Sequence, residues 1–520
     1  MEEDKSSLSR RQFLQGALAG AGALGLSSCL PGAASAAPSG KSAKVGAPGA
    51  APPFNVLFIV SDDLNDWVGA FGGNPDTQTP NIDRLCRRGV TFQRAYTCAP
   101  LCNPSRAALL TGHMPSTTGV YGNRQPFRQA AAVKDALTLP QYFMQHGYYT
   151  AAAGKIYHMH FPDPVSWNDY STDGREAPAE SASQPSGEKK PKGKKKKPEL
   201  SPNDDEARVK VASLEWAKLD VPDSETVDYG IADYCIRQLQ RKQDKPFFLG
   251  CGFRKPHLAW EVPRPYFDKF PPEKLTLPKV KDDDLDDVPP IGKKWAKPQI
   301  HETIQKAGKW AEAVGAYLAA INYVDTQLGR LIDALDASPY AHNTIVILWG
   351  DHGWHLGEKL HWHKSTLWEE ADRAPLTIFV PGMTKPGGNC TRTVGFIDIY
   401  PTLVDLCGLP PKPDIQGLSL APLLKNPEAP WDRPAVTDFQ FGNSAVRSER
   451  WRYIHYADGG EELYDHQRDE MEWTNLADDP AYAEVKKDLA RWLPKSYAED
   501  SPFQYFPGDE KKKKSDIEAE

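Results

Sequence analysis

The chain has 520 residues, of which 25% are charged and 40% hydrophobic, and these ordinary values exclude a disordered or fibrous protein. Its formal net charge of −7 argues against a nucleic-acid binder with a basic surface. No segment after residue 30 contains the ~20 consecutive apolar residues that a membrane-spanning helix needs.

The first 36 residues are predicted to be an export signal. Arg10 and Arg11 precede a run of Ala, Gly and Leu, a pattern that resembles the signals recognised by the twin-arginine translocase. Because that route carries folded proteins, the fold has to form in a reducing compartment, and we expect few essential disulfides among the eight cysteines.

Two cleavage patterns follow the apolar run. Ala-Ser-Ala at 34–36 fits release of a soluble periplasmic or secreted protein, whereas Leu-Ser-Ser-Cys at 26–29 fits a lipid anchor on Cys29. We favour release, with residues 37–53 as an Ala/Pro/Gly linker.

The central part of the chain alternates between two patterns. Apolar, β-branched runs that end in polar residues predict strands buried on both faces, at 54–60, 246–253, 344–349 and 376–380. Helical patterns lie among them at 80–88, 105–110, 139–146, 226–241 and 311–335. This alternation predicts an α/β fold with a doubly wound, mostly parallel sheet, whose ligands bind beyond the carboxyl ends of the strands.

The domain boundaries follow from changes in composition. A main domain is predicted at 54–430, interrupted at 172–206 by a Lys-rich, disordered insert. Short strands with turn signals, followed by a helix, predict a C-terminal antiparallel subdomain at 431–507. The charged tail at 508–520 is predicted to be disordered.

The segment 102–112 combines a cysteine with a helix start. Its sequence is Cys-Asn-Pro-Ser-Arg-Ala-Ala-Leu-Leu-Thr-Gly, and a helix is predicted to begin at Ser105. A thiolate near a helix N-terminus and beside Arg106 is electrostatically favoured. The residues alone leave two interpretations of Cys102 open, a nucleophile and a buried structural cysteine.

Adjacent carboxylates end the first predicted strand. Asp62 and Asp63 are costly to bury together unless a cation holds them, and Asp351 ends another strand. Three carboxylates suit a hard cation such as Ca²⁺ or Mg²⁺. The alternative is that one aspartate caps a helix while the other is solvated.

The run Cys-Asn-Pro-Ser-Arg, with Leu-Thr-Gly at 110–112, resembles the signature of type I sulfatases. The resemblance covers about residues 54–500 and is strongest to the iduronate-2-sulfatase-like branch. The segments that carry it are 58–64, 154–158, 255–257, 351–358 and 462–465. It implies an alkaline-phosphatase-like fold and conversion of Cys102 to Cα-formylglycine by a formylglycine-generating enzyme.

The resemblance also implies the site residues. The implied metal ligands are Asp62, Asp63, Cys102, Asp351 and His352, with Ca²⁺ ranked ahead of Mg²⁺ or Mn²⁺. The implied catalytic residues are Cys102, Arg106, Lys155, His158, His257 and Lys364. Among these, Lys155, His257 and Lys364 are also expected to bind the sulfate ester, because its transition state needs preorganised cations.

The implied mechanism uses the hydrated aldehyde. One hydroxyl of the gem-diol, acidified by the metal and by Arg106, which also fixes its orientation, attacks sulfur, and His257 or Lys364 protonates the leaving alcohol. The second hydroxyl loses its proton to His158 and expels sulfate, a step that an unmodified cysteine has no hydroxyl to perform.

The predicted activity is therefore hydrolysis of a carbohydrate sulfate ester, with a 2-O-sulfated uronic acid as one candidate. Two other hypotheses are kept. The first is a phosphonate or phosphate ester hydrolase with the same modified cysteine, and the second is a non-catalytic, exported binder of anionic glycans.

Overall fold

The computed structural model describes residues 53–174 and 208–506. The predicted export signal with Cys29, the linker except for its last residue, and the tail at 508–520 lie outside these residues. The predicted insert lies outside them except for 172–174.

Seventeen strands are present in the described part of the chain. In chain order they are β1 (Asn55–Asp62), β2 (Val90–Tyr96), β3 (Tyr149–Gly154), β4 (Asp169–Ser171), β5 (Arg208–Val211), β6 (Leu214–Leu219), β7 (Phe247–Pro256), β8 (Trp260–Pro263), β9 (Thr344–Gly350), β10 (His355–Leu356), β11 (Trp362–His363), β12 (Leu376–Phe379), β13 (Gly388–Gly395), β14 (Ala435–Asp438), β15 (Ser444–Arg447), β16 (Trp451–His455) and β17 (Glu461–Asp465).

Thirteen α-helices lie in the same described residues. They are α1 (Pro80–Arg88), α2 (Cys102–Thr111), α3 (Pro115–Thr118), α4 (Leu139–Gln145), α5 (Val227–Gln240), α6 (Arg264–Phe267), α7 (Pro290–Ala296), α8 (Pro298–Lys306), α9 (Trp310–Asp336), α10 (Glu369–Asp372), α11 (Ile399–Leu406), α12 (Ala421–Lys425) and α13 (Ala483–Ala490). None of these helices combines the length and apolarity needed to cross a membrane.

Eight strands form the main sheet, in the order β13-β2-β12-β9-β1-β7-β3-β4. All neighbouring strands run parallel except β12, which is antiparallel to both β2 and β9. The prediction of a mostly parallel α/β sheet is thereby confirmed.

The packing on both faces of the central strand β1 explains the apolar run from Val56 to Val60. Leu57 and Ile59 pack into one buried cluster with helices α1, α5 and α9. Val56, Phe58 and Val60 pack into a second cluster on the opposite face, with α2, α4 and α11. Because helices cover both faces, the strand is continuously apolar from Val56 to Val60, between polar Asn55 and its polar carboxyl end.

The C-terminal part forms a second, smaller sheet with strand order β14-β15-β16-β17, all antiparallel. Strand β14, which the sequence patterns did not predict, joins this sheet to the main domain. The Asp438 amide donates to the Cys98 carbonyl at 2.9 Å, and the Thr437 hydroxyl donates to the Thr97 carbonyl at 2.7 Å. The small sheet is thus hydrogen-bonded to the loop that precedes α2.

A buried ionic network also ties the two sheets together. Arg452 on β16 is fully buried, and its guanidinium lies 2.6 Å from carboxylate oxygens of Glu369, Asp372 and Glu472. Glu369 and Asp372 belong to α10, which precedes β12 of the main sheet. Buried carboxylates of this kind are tolerated only with a well-placed cation.

Replacing Arg452 with Met should leave these acidic groups without their cation. We expect the free energy of unfolding to fall by about 3–5 kcal/mol. Urea unfolding followed by tryptophan fluorescence measures the change. Arg450→Met is the matched control, since Arg450 pairs with Asp465 at 38% side-chain exposure and solvent screens that pair. Equal stability of the two variants would contradict the role given to Arg452.

Candidate active site

The site forms where two adjacent parallel strands end. Strands β1 and β9 pair in register up to Ser61 and Gly350, so Asp62, Asp63 and Asp351 leave the sheet at the same edge. The Asp63 amide donates to the Asp351 carboxylate at 2.9 Å. All three aspartates are buried, as the strand-end pattern predicts for a ligand site.

Cys102 is the first residue of α2, three residues before the predicted helix start at Ser105. Its side chain is 1% exposed. The sulfur lies 3.3 Å from Lys364 Nζ, 3.4 Å from His352 Nε2 and 3.8 Å from an Asp63 oxygen. The structure therefore surrounds this thiol with the groups that the resemblance assigned to the site.

Arg106 lies one helical turn after Cys102 and faces the strand ends. Its guanidinium is 2.9 Å from Asp62 and 2.9 Å from Asp351, and it donates to the Ile156 carbonyl at 3.1 Å. We expected Arg106 to orient the group formed from Cys102. Its hydrogen bonds hold the two aspartates, and its charge also interacts directly with Cys102. The orienting role of Arg106 stays a prediction.

Two lysines complete the positive side of the site. Lys155 Nζ lies 2.5 Å from Asp62, and Lys364 Nζ lies 2.6 Å from Asp63. Lys364 stands on a tight loop in which His363 and Ser365 have φ values of 79° and 75°. The His361 ring contacts the Lys364 carbonyl at 3.0 Å and fixes this loop.

The two histidines assigned to proton transfer lie at different depths. His257 Nε2 is 3.8 Å from Asp63, and the side chain is 39% exposed, so His257 faces the opening of the site. His158 is buried, and its Nδ1 has no hydrogen-bond partner among the described residues. Burial, together with the positive charge of Lys155, places the pKa of His158 well below its usual value. His158 is therefore neutral, with a ring nitrogen open to a proton, and is a weaker base than a free imidazole.

Positive charge controls the acidity of the thiol. Burial alone would raise the pKa of Cys102, but Lys155 and Lys364 outweigh burial and hold this pKa well below its usual value. Burial likewise raises the pKa of Asp62, and Lys155 and Arg106 reverse the effect, so that this carboxyl stays ionised. Residue 102 thus lies in an environment that stabilises negative charge.

The acidic groups act on the histidines in the opposite sense. Burial is the largest influence on His352 and lowers its pKa, but Asp351 and Cys102 together raise this pKa to about 9. His257 shows the same balance, since the partial desolvation of its ring lowers its pKa but Asp63, Asp62 and Cys102 together raise this pKa above the usual value. His257 is therefore suited to carry a proton near neutral pH.

The donor atoms fit a metal ion. Those of Asp63, Cys102, Asp351 and His352 all lie within 4.8 Å of one another, as do those of a second set, Asp62, Asp63, Cys102 and His257. Asp63 belongs to both sets, and its buried Oδ2 has no hydrogen-bond partner within residues 53–174 and 208–506. Such an atom is explained by a cation, and a carboxylate-rich set suits a hard one. His257 was not predicted as a possible ligand.

Several supporting residues escaped the sequence analysis. The Tyr317 hydroxyl, from α9, donates to the Asp63 carbonyl at 2.7 Å, and the Thr97 and Ser105 hydroxyls donate to the Asp351 carbonyl at 2.7 and 2.6 Å. Ser105 lies within the cysteine motif and could have been noticed. Tyr317 is one of many buried residues on a long helix, and nothing in its sequence context marks it.

Comparison with known proteins identifies the family. Residues 54–409 match the family model described as Sulfatase, and residues 350–499 match that described as N-sulphoglucosamine sulphohydrolase, C-terminal. A sulfatase of Formosa agariphila is 37% identical over 470 residues, which are 85% of this chain and 87% of that protein. Human iduronate 2-sulfatase is 31% identical over 408 residues, 69% of this chain and 70% of that protein.

Solved structures agree on the fold. The phosphonate monoester hydrolase of Agrobacterium radiobacter superposes with a TM-score of 0.67 at 24% identity, covering 84% of this chain and 94% of that one. This likeness establishes the alkaline-phosphatase-like architecture. The extent of the family match and the identity to the relatives show that the chain belongs to the type I sulfatase family, close to the iduronate 2-sulfatase branch, and is a sulfuric ester hydrolase.

Proposed function

We propose that the protein hydrolyses a sulfate ester of a carbohydrate, with a 2-O-sulfated uronic acid as the first candidate. The observation that carries this proposal is the position of Cys102, which lies within 3.4 Å of both Lys364 and His352 and opposite three buried aspartates. The similarity to iduronate 2-sulfatase supports an acidic sugar as substrate.

The nucleophile in this proposal is the formylglycine made from Cys102 by a formylglycine-generating enzyme. In its hydrated form, one hydroxyl attacks sulfur and the bond between sulfur and the sugar oxygen breaks. The second hydroxyl then gives up its proton, sulfate leaves and the aldehyde re-forms. The positive charges of Lys155 and Lys364, which lower the pKa of the Cys102 thiol, support this chemistry because they also stabilise the oxyanions of both steps.

The cation proposed for the site is Ca²⁺, held by Asp62, Asp63, Asp351, His352 and residue 102. When bound, it supplies fixed positive charge for the oxygen atoms of the reacting groups. The buried, unpartnered Oδ2 of Asp63 supports the presence of a cation. Mg²⁺ or Mn²⁺ would bind the same carboxylates. For these ions, as for Ca²⁺, a histidine such as His352 is an unusual ligand.

The remaining side chains take separate roles. The charges of Lys155 and Lys364 both act on residue 102, and these lysines neutralise the sulfate oxygens as negative charge develops. His257, at the opening, protonates the sugar oxygen as it leaves, and its raised pKa supports that assignment. His158, buried and neutral, accepts the proton of the second hydroxyl.

The two other hypotheses fare differently. The chain belongs to a family of enzymes, and this membership argues against the hypothesis of a non-catalytic glycan binder. The phosphonate or phosphate ester hydrolase keeps one supporting observation, the shared fold of the phosphonate monoester hydrolase. Sulfate is favoured because the relatives of high sequence identity are sulfatases.

We further propose that the protein acts in the periplasm or outside the cell after twin-arginine export. The paired Arg10 and Arg11 before an apolar run support this location. Cleavage at 34–36 gives a free protein, and retention of Cys29 as a lipidated N-terminus is the competing outcome.

Replacement of Cys102 by Ala should abolish turnover. Protein produced together with a formylglycine-generating enzyme is tested against defined sulfated mono- and disaccharides, an aryl sulfate and an aryl phosphonate. We expect the wild type to cleave at least one saccharide, to prefer the sulfate among the aryl esters, and to carry an aldehyde at residue 102 by peptide mass analysis. Cys98→Ala, which alters another buried cysteine, is the control and should retain turnover. Activity in Cys102→Ala, or preference for the phosphonate, would contradict the proposal.

Asp63→Asn should remove the cation from the site. We expect kcat/KM to fall by more than about a hundredfold, since ligand loss exceeds the usual effect of disturbing a supporting residue. Added Ca²⁺ should raise the melting temperature of chelator-treated wild type but not of Asp63→Asn, because binding stabilises only a protein that has the site. Asp66 lies outside both donor sets, so the control variant Asp66→Asn should keep the rise in melting temperature on addition of Ca²⁺. An equal Ca²⁺ response in Asp63→Asn would argue against this site.

Arg10→Lys combined with Arg11→Lys should retain the protein in the cytosol, because the translocase reads the paired arginines. Cell fractionation with activity assays measures the distribution. A double substitution of Lys189 and Lys190 by Arg is the control and should leave export unaffected. Efficient export of the Arg10/Arg11 variant would exclude the twin-arginine route.

A further inference from the structure

The end of the described chain runs along a loop beside the active site. We define residues 498–506 as the C-terminal segment. Three of its amides donate to carbonyls of the loop, those of Ala498 to Ser116 at 2.7 Å, Ser501 to Gly119 at 2.8 Å and Gln504 to Arg124 at 2.7 Å. Residues 500–506 follow the part of the chain that the family models match.

The docking of this segment depends on a glycine. Gly119 has a φ of +72°, and a Cβ atom there would lie 2.0 Å from the Glu499 carbonyl oxygen. No side chain fits that distance. The Gln125 amide adds two hydrogen bonds of 2.9 Å, to Asp500 and to the Ser501 carbonyl. The segment therefore has one defined position against the loop.

The same loop is fixed to the residue next to Cys102. The Asn103 side-chain amide donates to the carbonyls of Gly122 and Gln125, each at 2.8 Å, and the Asn103 backbone amide donates to Asn123 at 2.9 Å. The C-terminal segment is thus held at a set distance from the reacting group.

Phe506, the last described residue, joins a cluster of rings that reaches the site. Its ring centroid lies 4.6 Å from that of His160 and 6.3 Å from that of Phe161, and the Arg124 guanidinium packs over it at 4.7 Å. His158, at the other end, lies 5.1 Å from His160 and 6.0 Å from Phe161. His160 is exposed, and Phe161 and Phe506 are half-buried.

We propose that His160, Phe161 and Phe506 form a subsite that contacts the sugar ring of the substrate. Flat rings next to a polar pocket bind the C–H face of a sugar while its hydroxyls stay hydrated, and ligand pockets commonly combine aromatic walls with a few polar groups. The cluster adjoins His158, whose buried Nδ1 has no hydrogen-bond partner among the described residues and which lies close enough to Lys155 for the lysine's charge to act on it. This inference rests on the proposed function and assigns carbohydrate selectivity to Phe506 of the C-terminal segment together with His160 and Phe161.

The test compares two substrates in Phe506→Ala. The probes are 4-nitrophenyl sulfate, which has no sugar ring, and the sulfated disaccharide that the wild type cleaves fastest. We expect the ratio of kcat/KM for the disaccharide to kcat/KM for the aryl sulfate to fall about tenfold, mainly through KM, as expected for a lost binding contact. Phe506→Tyr should restore the ratio.

Tyr505→Ala is the matched control, because Tyr505 is the neighbouring aromatic residue and is 54% exposed. Its ratio should equal that of the wild type. Gly119→Ala tests the segment independently, since the added Cβ displaces it, and the ratio should fall at least as far as in Phe506→Ala.

The outcomes separate this inference from the function on which it rests. A wild type that cleaves no saccharide refutes the proposed carbohydrate activity and the subsite with it. A wild type that cleaves a saccharide, combined with an unchanged ratio in both Phe506→Ala and Gly119→Ala, overturns the subsite alone. A parallel loss on both substrates also overturns it, because that pattern indicates general damage to the site.

Discussion

The balance of buried charge at the ends of β1 and β9 is the interaction on which the rest of the site depends. Three aspartates leave the sheet at one edge, and Arg106, Lys155 and Lys364 reach them from three other parts of the chain. Asp62 is paired with two of these cations, Arg106 and Lys155, whereas Lys364 pairs with Asp63 and Arg106 also pairs with Asp351. Breaking a buried ion pair by removing one partner costs about 3–5 kcal/mol. The same positive charges lower the pKa of Cys102, so the groups that make the site foldable also make residue 102 acidic.

The parallel sheet makes this convergence possible. Residues 62, 102, 155, 257, 351 and 364 are distant in sequence, but each lies at or just beyond the carboxyl end of a main-sheet strand, at the start of α2, or on the loop after β11. Because the strands run in one direction, these ends share an edge, and side chains of unlike charge meet there at 2.5–3.8 Å. The antiparallel C-terminal sheet contributes from outside, by its hydrogen bonds to the loop before α2.

The main architecture could be predicted from the sequence because buried strands and helices leave a clear pattern of apolar residues. The apolar run of β1 predicted a strand covered on both faces, and the helix predicted at 80–88 has the observed bounds of α1. Strands β2 and β13 were missed, since residues such as Gln93, Arg94 and Arg392 interrupt their apolar pattern. The helix start at Cys102 rather than Ser105 was missed because Pro104, taken as part of a loop, is compatible with the first turn of a helix.

The residues of the candidate site likewise differ in how far the sequence predicted them. The carboxylate pair and the cysteine were visible from local pattern, whereas Lys155, His257 and Lys364 entered through resemblance to a family. Tyr317 and the C-terminal segment entered through neither, since their roles come from contacts between distant residues. One consequence concerns time. Cys102 is 1% exposed in the folded chain, and its neighbours Lys364 and His352 are synthesised long after α2. A catalyst acting on this thiol would therefore have easy access only before those later residues have folded against it.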